Sequence, residues 1–161
     1  METKIERERK WLLKRVPDEA YNHTTMDITQ LYTEDGWRYR ETVPISDTTE
    51  PTYEKLKKIS VGRGINQEVN IQKITRDEFL EIYEQENVKG VRKYRHVVDG
   101  HIHTYEFDDF ISCNLAILEV EDVDMDDTIV FPDWVEKEII MEVTGNPLFS
   151  NANLAIDAKE L

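Results

Sequence analysis

Residues 3–12 read TKIERERKWL, and the direction in which this stretch points its charges decides the fold. Drawn as a β-strand, it places Glu6, Glu8 and Lys10 on one face, because successive side chains alternate sides. Like charges one pleat apart, at ~7 Å, cost about 2 kcal/mol per pair at an effective dielectric of ~20. Water screens that cost on a solvated face. A buried face needs a compensating cation.

The same spacing recurs along the chain, as Arg38/Arg40, Lys55/Lys57, Lys93/Arg95, Glu106/Asp108 and Glu119/Glu121. Apolar or aromatic residues stand between several of these pairs: Tyr39, Leu56, Tyr94, Phe107 and Val120. Any single pair reads as the wet side of a half-exposed sheet. The set as a whole does not, because its signs segregate by strand: acidic on the first and last, basic on the third, fourth and sixth. Closing these strands into a barrel with the charges inward makes the first and last neighbours. Glu6, Glu8, Glu119 and Glu121 then converge, and four such carboxylates take up protons unless a metal sits among them. Oxygen ligands with room for water suit Mg²⁺ or Mn²⁺. A cavity with a cation site and a basic lining fits a short polyphosphate chain.

Whole-chain properties set the frame. With 161 residues the chain suits one domain, spanning 1–161, with a core that needs no disulfide. Cys113 is the lone cysteine and has no intrachain partner, which favours a reducing compartment. No apolar run approaches the ~18 residues of a membrane span, and the charged first residues lack the apolar stretch of a secretion signal. The expectation is a soluble, cytoplasmic protein, monomer or homodimer. Acidic residues outnumber basic ones 34 to 20, for a net charge of −14, which argues against nucleic acid or an anionic membrane as partner. A small anion in a local basic cluster stays compatible with it.

Alternation predicts eight strands: Ile5–Leu13, Asp27–Tyr32, Trp37–Val43, Thr52–Ile59, Gln67–Ile71, Gly90–Val98, His101–Phe107 and Leu115–Val120. EDG (34–36) and VDG (98–100) read as hairpin turns, and SVGRG (60–64) as a flexible connection. Thr75-x-x-Glu78 has the form of a capping box before Phe79, Leu80, Ile82 and Tyr83. Pro132 is placed to open a second helix carrying Trp134, Val135, Ile139 and Ile140, and a third short helix is expected after Ser150. Many strands and few helices predict a mostly β (α+β) fold, a closed eight-stranded antiparallel barrel with the helices packed outside.

In this order the segments resemble the CYTH superfamily, the triphosphate tunnel metalloenzymes. Glu6-x-Glu8-x-Lys10 is similar to its ExExK signature, and WRYRE (37–41) to its paired-arginine strand. LKKIS (56–60) resembles the next basic strand, with Lys57 the best match, and NQEVN (66–70) the acidic strand, giving Glu68. VRKYR (91–95) matches the K-x-R strand and YEFDDF (105–110) the strand ending in an inward acid, Asp108. LAILEVE (115–121) resembles the closing E-x-E strand, and MEVTGNPLFSNANLA (141–155) the C-terminal EVT…SNxxLA segment. One departure is Asn70, where the acidic strand often repeats its glutamate.

The resemblance implies an eight-stranded tunnel and divalent-metal-dependent cleavage of the terminal phosphate of inorganic tripolyphosphate or of an organic or nucleoside triphosphate. It places Glu6, Glu8, Lys10, Glu119 and Glu121 in catalysis, and Lys10, Arg38, Arg40, Lys57, Lys93 and Arg95 on the phosphates. The metal set is Glu6, Glu8, Glu119 and Glu121, with Asp108 or Glu68 completing the coordination or orienting the attacking water. Phosphoryl transfer needs charge neutralisation and alignment more than covalent catalysis, so these residue types suit it. Two other readings stay open: an adenylate cyclase forming cyclic AMP and pyrophosphate, and a module that sequesters polyphosphate without turnover. Against the first, no His-Phe pair follows Glu6; against the second, anion binding alone requires no inward carboxylates. The bland readings are a solvent-facing Glu68, a rim Lys55, a solvated acidic connection at 119–127, hairpin residues at His101 and His103, and packing roles for Trp11, Trp37 and Trp134.

Overall fold

The computed structural model describes residues 2–161. Alternating sequence becomes ten strands: β1 (Glu2–Leu13), β2 (Thr24–Tyr32), β3 (Arg38–Pro44), β4 (Thr52–Gly62), β5 (Ile65–Lys73), β6 (Lys89–Asp99), β7 (Thr104–Phe110), β8 (Leu115–Glu121), β9 (Ile139–Glu142) and β10 (Ile156–Asp157). Hydrogen bonding runs β1–β5–β4–β3–β2–β6–β7–β8 and back to β1, a closed eight-stranded antiparallel barrel. β9 adds to the outside of the ring through β1, and β10 through β6.

The apolar core lies mostly outside the barrel. Trp11 and Leu13 of β1, Tyr105 and Phe107 of β7, and Leu118 and Val120 of β8 are buried together with Val135. Each alternates with a charged residue that must then point inward: Lys10, Glu106, Asp108, Glu119 and Glu121. A second cluster, with Leu31, Tyr39 and Val88, packs under Phe79 of helix α1 (Arg76–Glu84). The third is different. Val91, Phe110 and Ile117 continue the inward rows of β6, β7 and β8, and with Phe149 and Leu154 they fill one end of the interior with hydrocarbon. Burial outside thus fixes the register that forces charge inside.

Helix α1 starts where the capping signal puts it, with Thr75 Oγ1 accepting from the Glu78 N–H at 3.1 Å. The helix expected from Pro132 is only one turn, α2 (Asp133–Glu136). Ile139 and the following residues leave it as β9, pairing Trp11 with Glu142 and Leu13 with Ile139, since β-branched residues suit a strand beside β1. SVGRG is not a flexible connection: β4 runs to Gly62, β5 resumes at Ile65, and Gly64 (φ +70°) makes the turn. A Cβ on Gly64 would meet the Glu8 carbonyl at 2.7 Å, so this turn presses on the strand carrying the carboxylates. β7 spans 104–110 rather than 101–107, because the hairpin loop takes residues 100–103, closed by Gly100 N–H to His103 O at 2.9 Å. His101 and His103 sit in that loop. The helix after Ser150 is α3 (Asn151–Leu154), laid against β6. Among the described residues no helix is long and apolar enough to cross a membrane.

Candidate functional site

The inward faces enclose a cavity of about 490 Å³. β1 contributes Glu6, Glu8 and Lys10 to its wall, and β8 contributes Glu119 and Glu121. β3 adds Arg38 and Arg40, β4 adds Glu54 and Lys58, β5 adds Glu68, and β6 adds Lys93 and Arg95. Register sets the acidic side: Glu8 lies opposite Glu121, and Lys10 opposite Glu119. One carboxylate oxygen from each of Glu6, Glu8 and Glu121 falls within 4.8 Å of the others. Three such oxygens are the donor set a hard divalent cation takes.

The protonation of this trio reflects the crowding. Burial, then Glu119, pushes the Glu8 carboxyl up to about 7. Burial, then Glu106 and Glu6, pushes Glu121 up to about 8. Burial would raise Glu6 too, but Lys58, 2.9 Å away, holds it below its ordinary range. Glu8 and Glu121 therefore keep protons in the folded chain at pH values where the unfolded chain, with carboxyls near 4.5, has lost them. The folded state binds more protons across this window, so stability falls as pH rises from about 5 to 8. A thermal melt of the protein in chelator should drop by roughly 5–10 °C over that range. A flat or rising Tm would contradict the clustering.

The basic side shows the opposite stress. Burial, then Arg38 and Arg95, lowers Arg40 to about 10. Burial also lowers Lys93 to about 8, even though Asp108 partly offsets it. Arg38 Nε is buried without a hydrogen-bond partner among the described residues. These cations crowd each other in a space shielded from water, and an anion there would relieve them.

Behind the wall lies a buried ion network. Asp108, fully buried, accepts from Lys93 Nζ at 2.7 Å, Arg95 Nε at 2.7 Å and Arg95 Nη2 at 2.9 Å. Arg95 also donates to Glu106 at 3.1 Å and to Glu119 at 3.1 Å. Burial would raise Glu119, but Lys10, Arg95 and Lys93 hold its carboxyl far below the usual range. Asn151 of α3 accepts from Lys93 Nζ at 3.0 Å.

The structure brings most of the expected residues together and displaces several. Glu6, Glu8, Lys10, Arg38, Arg40, Lys93, Arg95, Glu119, Glu121 and Glu68 all line the cavity. Asp108 does not: it sits beneath the wall with both oxygens held by cations, so it anchors Lys93 and Arg95 rather than standing with the metal set. Glu119 lines the cavity but lies outside the trio, between Lys10 and Arg95. Glu68 pairs with Lys4 at 3.3 Å, also outside it.

Lys57 is a misplacement by one residue. Arg38 pairs with Leu56, so the even positions of β4 face inward and Lys58 takes the place in the wall. Lys57 and Lys55 lie 4.9 Å and 4.5 Å from the centroid of the Trp37 ring. Asn70 has φ +56° and is the extra residue of a bulge that breaks the register with β1 and β4 together. A left-handed residue there favours Asn over Glu, which explains the departure from E-x-E. Gln30, Tyr32, Trp37 and Asn151 are among the other lining residues. The alternation Ile28, Gln30, Tyr32 in β2 carries the signal for two of them, though neither bears a charge that would mark it.

No protein-family profile matches this chain, and no curated protein does. Two solved structures of NE1496 share its fold. One, described as a hypothetical protein, superposes with a TM-score of 0.59 at 23% identity, covering 92% of this chain and 96% of that one. The other, described as the inorganic triphosphatase NE1496, gives 0.59 at 20% identity, covering 92% and 95%. A protein of Bacillus halodurans, bh2851, proposed to be an adenylate cyclase, reaches only 0.45 at 13% identity over 77% and 83%, too slight to bear on function. The barrel expected from the tunnel resemblance is thus the barrel NE1496 adopts.

Proposed function

We propose that the chain is a divalent-metal-dependent hydrolase of a triphosphate, cleaving its terminal phosphate inside the charged cavity. One observation carries this reading: carboxyls pushed up by burial and by one another share a single cavity with cations pushed down by burial and by neighbouring cations. A phosphate chain with a bound divalent ion relieves both stresses together. The fold shared with the inorganic triphosphatase NE1496 is compatible with it.

Arg38 and Arg40 would receive phosphate oxygens through the free donors of their planar forks, and Arg95, Lys93 and Lys58 as positive charges in the wall. Lys10 stays protonated between Glu8 at 3.7 Å and Glu119 at 3.6 Å, so it presents a fixed positive charge beside the reacting region. Glu6, Glu8 and Glu121 would hold Mg²⁺ or Mn²⁺, which when bound supplies charge neutralisation and an acidified water. Glu119 and Asp108 keep Lys10, Lys93 and Arg95 aimed into the cavity. Two inward carboxylate rows, on β1 and β8, would be superfluous for binding an anion alone, which favours turnover over sequestration.

The test is a product panel. Purified protein with Mg²⁺ or Mn²⁺ is given tripolyphosphate, ATP, GTP and thiamine triphosphate. Orthophosphate release from at least one is the expected result. Cyclic nucleotide with pyrophosphate would make it a cyclase, and tight binding without product a sequestering module. The same ions at millimolar concentration should also remove the loss of Tm between pH 5 and 8, because a cation held by the trio replaces the protons.

A further inference from the structure

Gln30, on β2, is 1% exposed in a wall otherwise rich in charge. Its Oε1 accepts two hydrogen bonds from Arg40, from Nη2 at 2.6 Å and Nε at 3.0 Å. Its Nε2 donates to the Tyr32 hydroxyl at 2.6 Å. The amide therefore has one orientation, since a flip would set its N–H donors against a guanidinium that has donors only.

The neighbouring arginines are held differently. Arg38 donates to the Glu54 carboxylate at 3.0 Å, and Arg95 is ringed by Glu106, Asp108 and Glu119. Among the described residues the carboxylate within reach of Arg40 is Glu54, at 3.8 Å, already engaged with Arg38. A carboxylate partner cancels part of a cation's charge as an incoming anion sees it. A neutral amide fixes the same fork and cancels none of it.

We propose that Gln30, locked by Tyr32, is the positioning residue that sets anion affinity in this cavity, holding Arg40 by its Nε–Nη2 edge without a charge of its own, so that the remaining Nη donors grip a phosphate group. The inference rests on the phosphate-binding reading above and names the device by which that site keeps one arginine free. A glutamate in the same place would hold the fork as well and spend its charge.

The experiment is calorimetric titration of tripolyphosphate into the metal-free protein at neutral pH, with a thermal melt of each variant. Q30E should raise Kd by about 100-fold while its Tm holds or rises, because the new carboxylate forms an ion pair with Arg40. Q30M, which keeps the charge but loses the orientation, should raise Kd by about 10-fold, and Y32F by less. Affinity and stability moving in opposite directions in Q30E is the signature a wall-filling residue would not give. Equal losses in Q30E and Q30M, or Q30E binding within about twofold of wild type, would overturn the role of Gln30 alone. A wild-type protein that binds no tripolyphosphate would overturn both this inference and the reading it rests on.

Discussion

Glu121→Gln should give a protein that melts higher and turns over on the order of 10³-fold more slowly. The carboxyl sits up near 8, first through burial and then through Glu106, Glu6, Glu119 and Glu8. At pH 8 its ionisation is resisted by that crowd, so replacing it with a neutral isostere removes repulsion and leaves a hydrogen-bonding amide. The gain in the metal-free protein should be about 1–2 kcal/mol, read as a rise in Tm of roughly 4 °C. The catalytic loss has the same origin with the opposite sign, because one of three oxygens that would hold the cation becomes a poor ligand. With millimolar Mn²⁺ the order of melting temperatures should reverse, since wild type is stabilised by an ion the variant holds weakly. A variant that keeps its activity would remove Glu121 from the site. One that melts lower in chelator would show that the three carboxylates do not crowd each other.

How much of this was legible in the sequence depends on what each residue had to declare. The barrel was, because Trp11, Tyr105, Phe107, Leu118 and Val120 alternate with charges and cannot all be satisfied unless one face is dry and the other lined with ions. The inward rows of β1, β3, β6 and β8 followed directly. In β4 neither charge spacing nor the resemblance, which favours Lys57, marks the inward face. Leu56 faces inward there, and the two lysines flanking it lie against the Trp37 ring instead of lining the cavity. An apolar residue in a charged wall leaves no mark in a charge pattern. β9 was read as helix because Trp134, Val135, Ile139 and Ile140 fit either period over so short a run, and only the exposed edge of β1 decides between them. Asp108 showed the right sign and face but not the depth. Alternation tells which way a side chain points, whereas the fully buried position under Lys93 and Arg95 depends on how far the barrel closes over it. Gln30 was silent for a simpler reason: its part is to be neutral.

Arg95→Met should cost both stability and activity, and a second substitution should separate the two. The guanidinium makes four hydrogen bonds to three carboxylates: Asp108 twice, Glu106 and Glu119. Removing it leaves Asp108, fully buried, with Lys93 as its cationic hydrogen-bond donor, and leaves Glu119 leaning on Lys10 at 3.6 Å. The buried cluster is then one carboxylate in excess of its cations, which costs about 3–5 kcal/mol, so Tm should fall by roughly 10 °C. Phosphate binding should weaken as well, because a cation in the cavity wall has gone and Lys93 is drawn toward the unshared Asp108. Adding Asp108→Asn restores the balance, leaving Glu106 and Glu119 with Lys10 and Lys93. The double variant should recover more than about half of the lost stability, since removing a cation and a carboxylate together from a buried cluster is far cheaper than removing the cation alone. Its turnover should stay at the level of the single variant, because nothing restores the contact with the phosphate chain. If Arg95→Met melts within about 2 °C of wild type, the buried network does not hold this side of the barrel. If the double variant regains activity along with stability, Arg95 is scaffolding for Lys93 and Glu119, and its own contact with the anion must be given up.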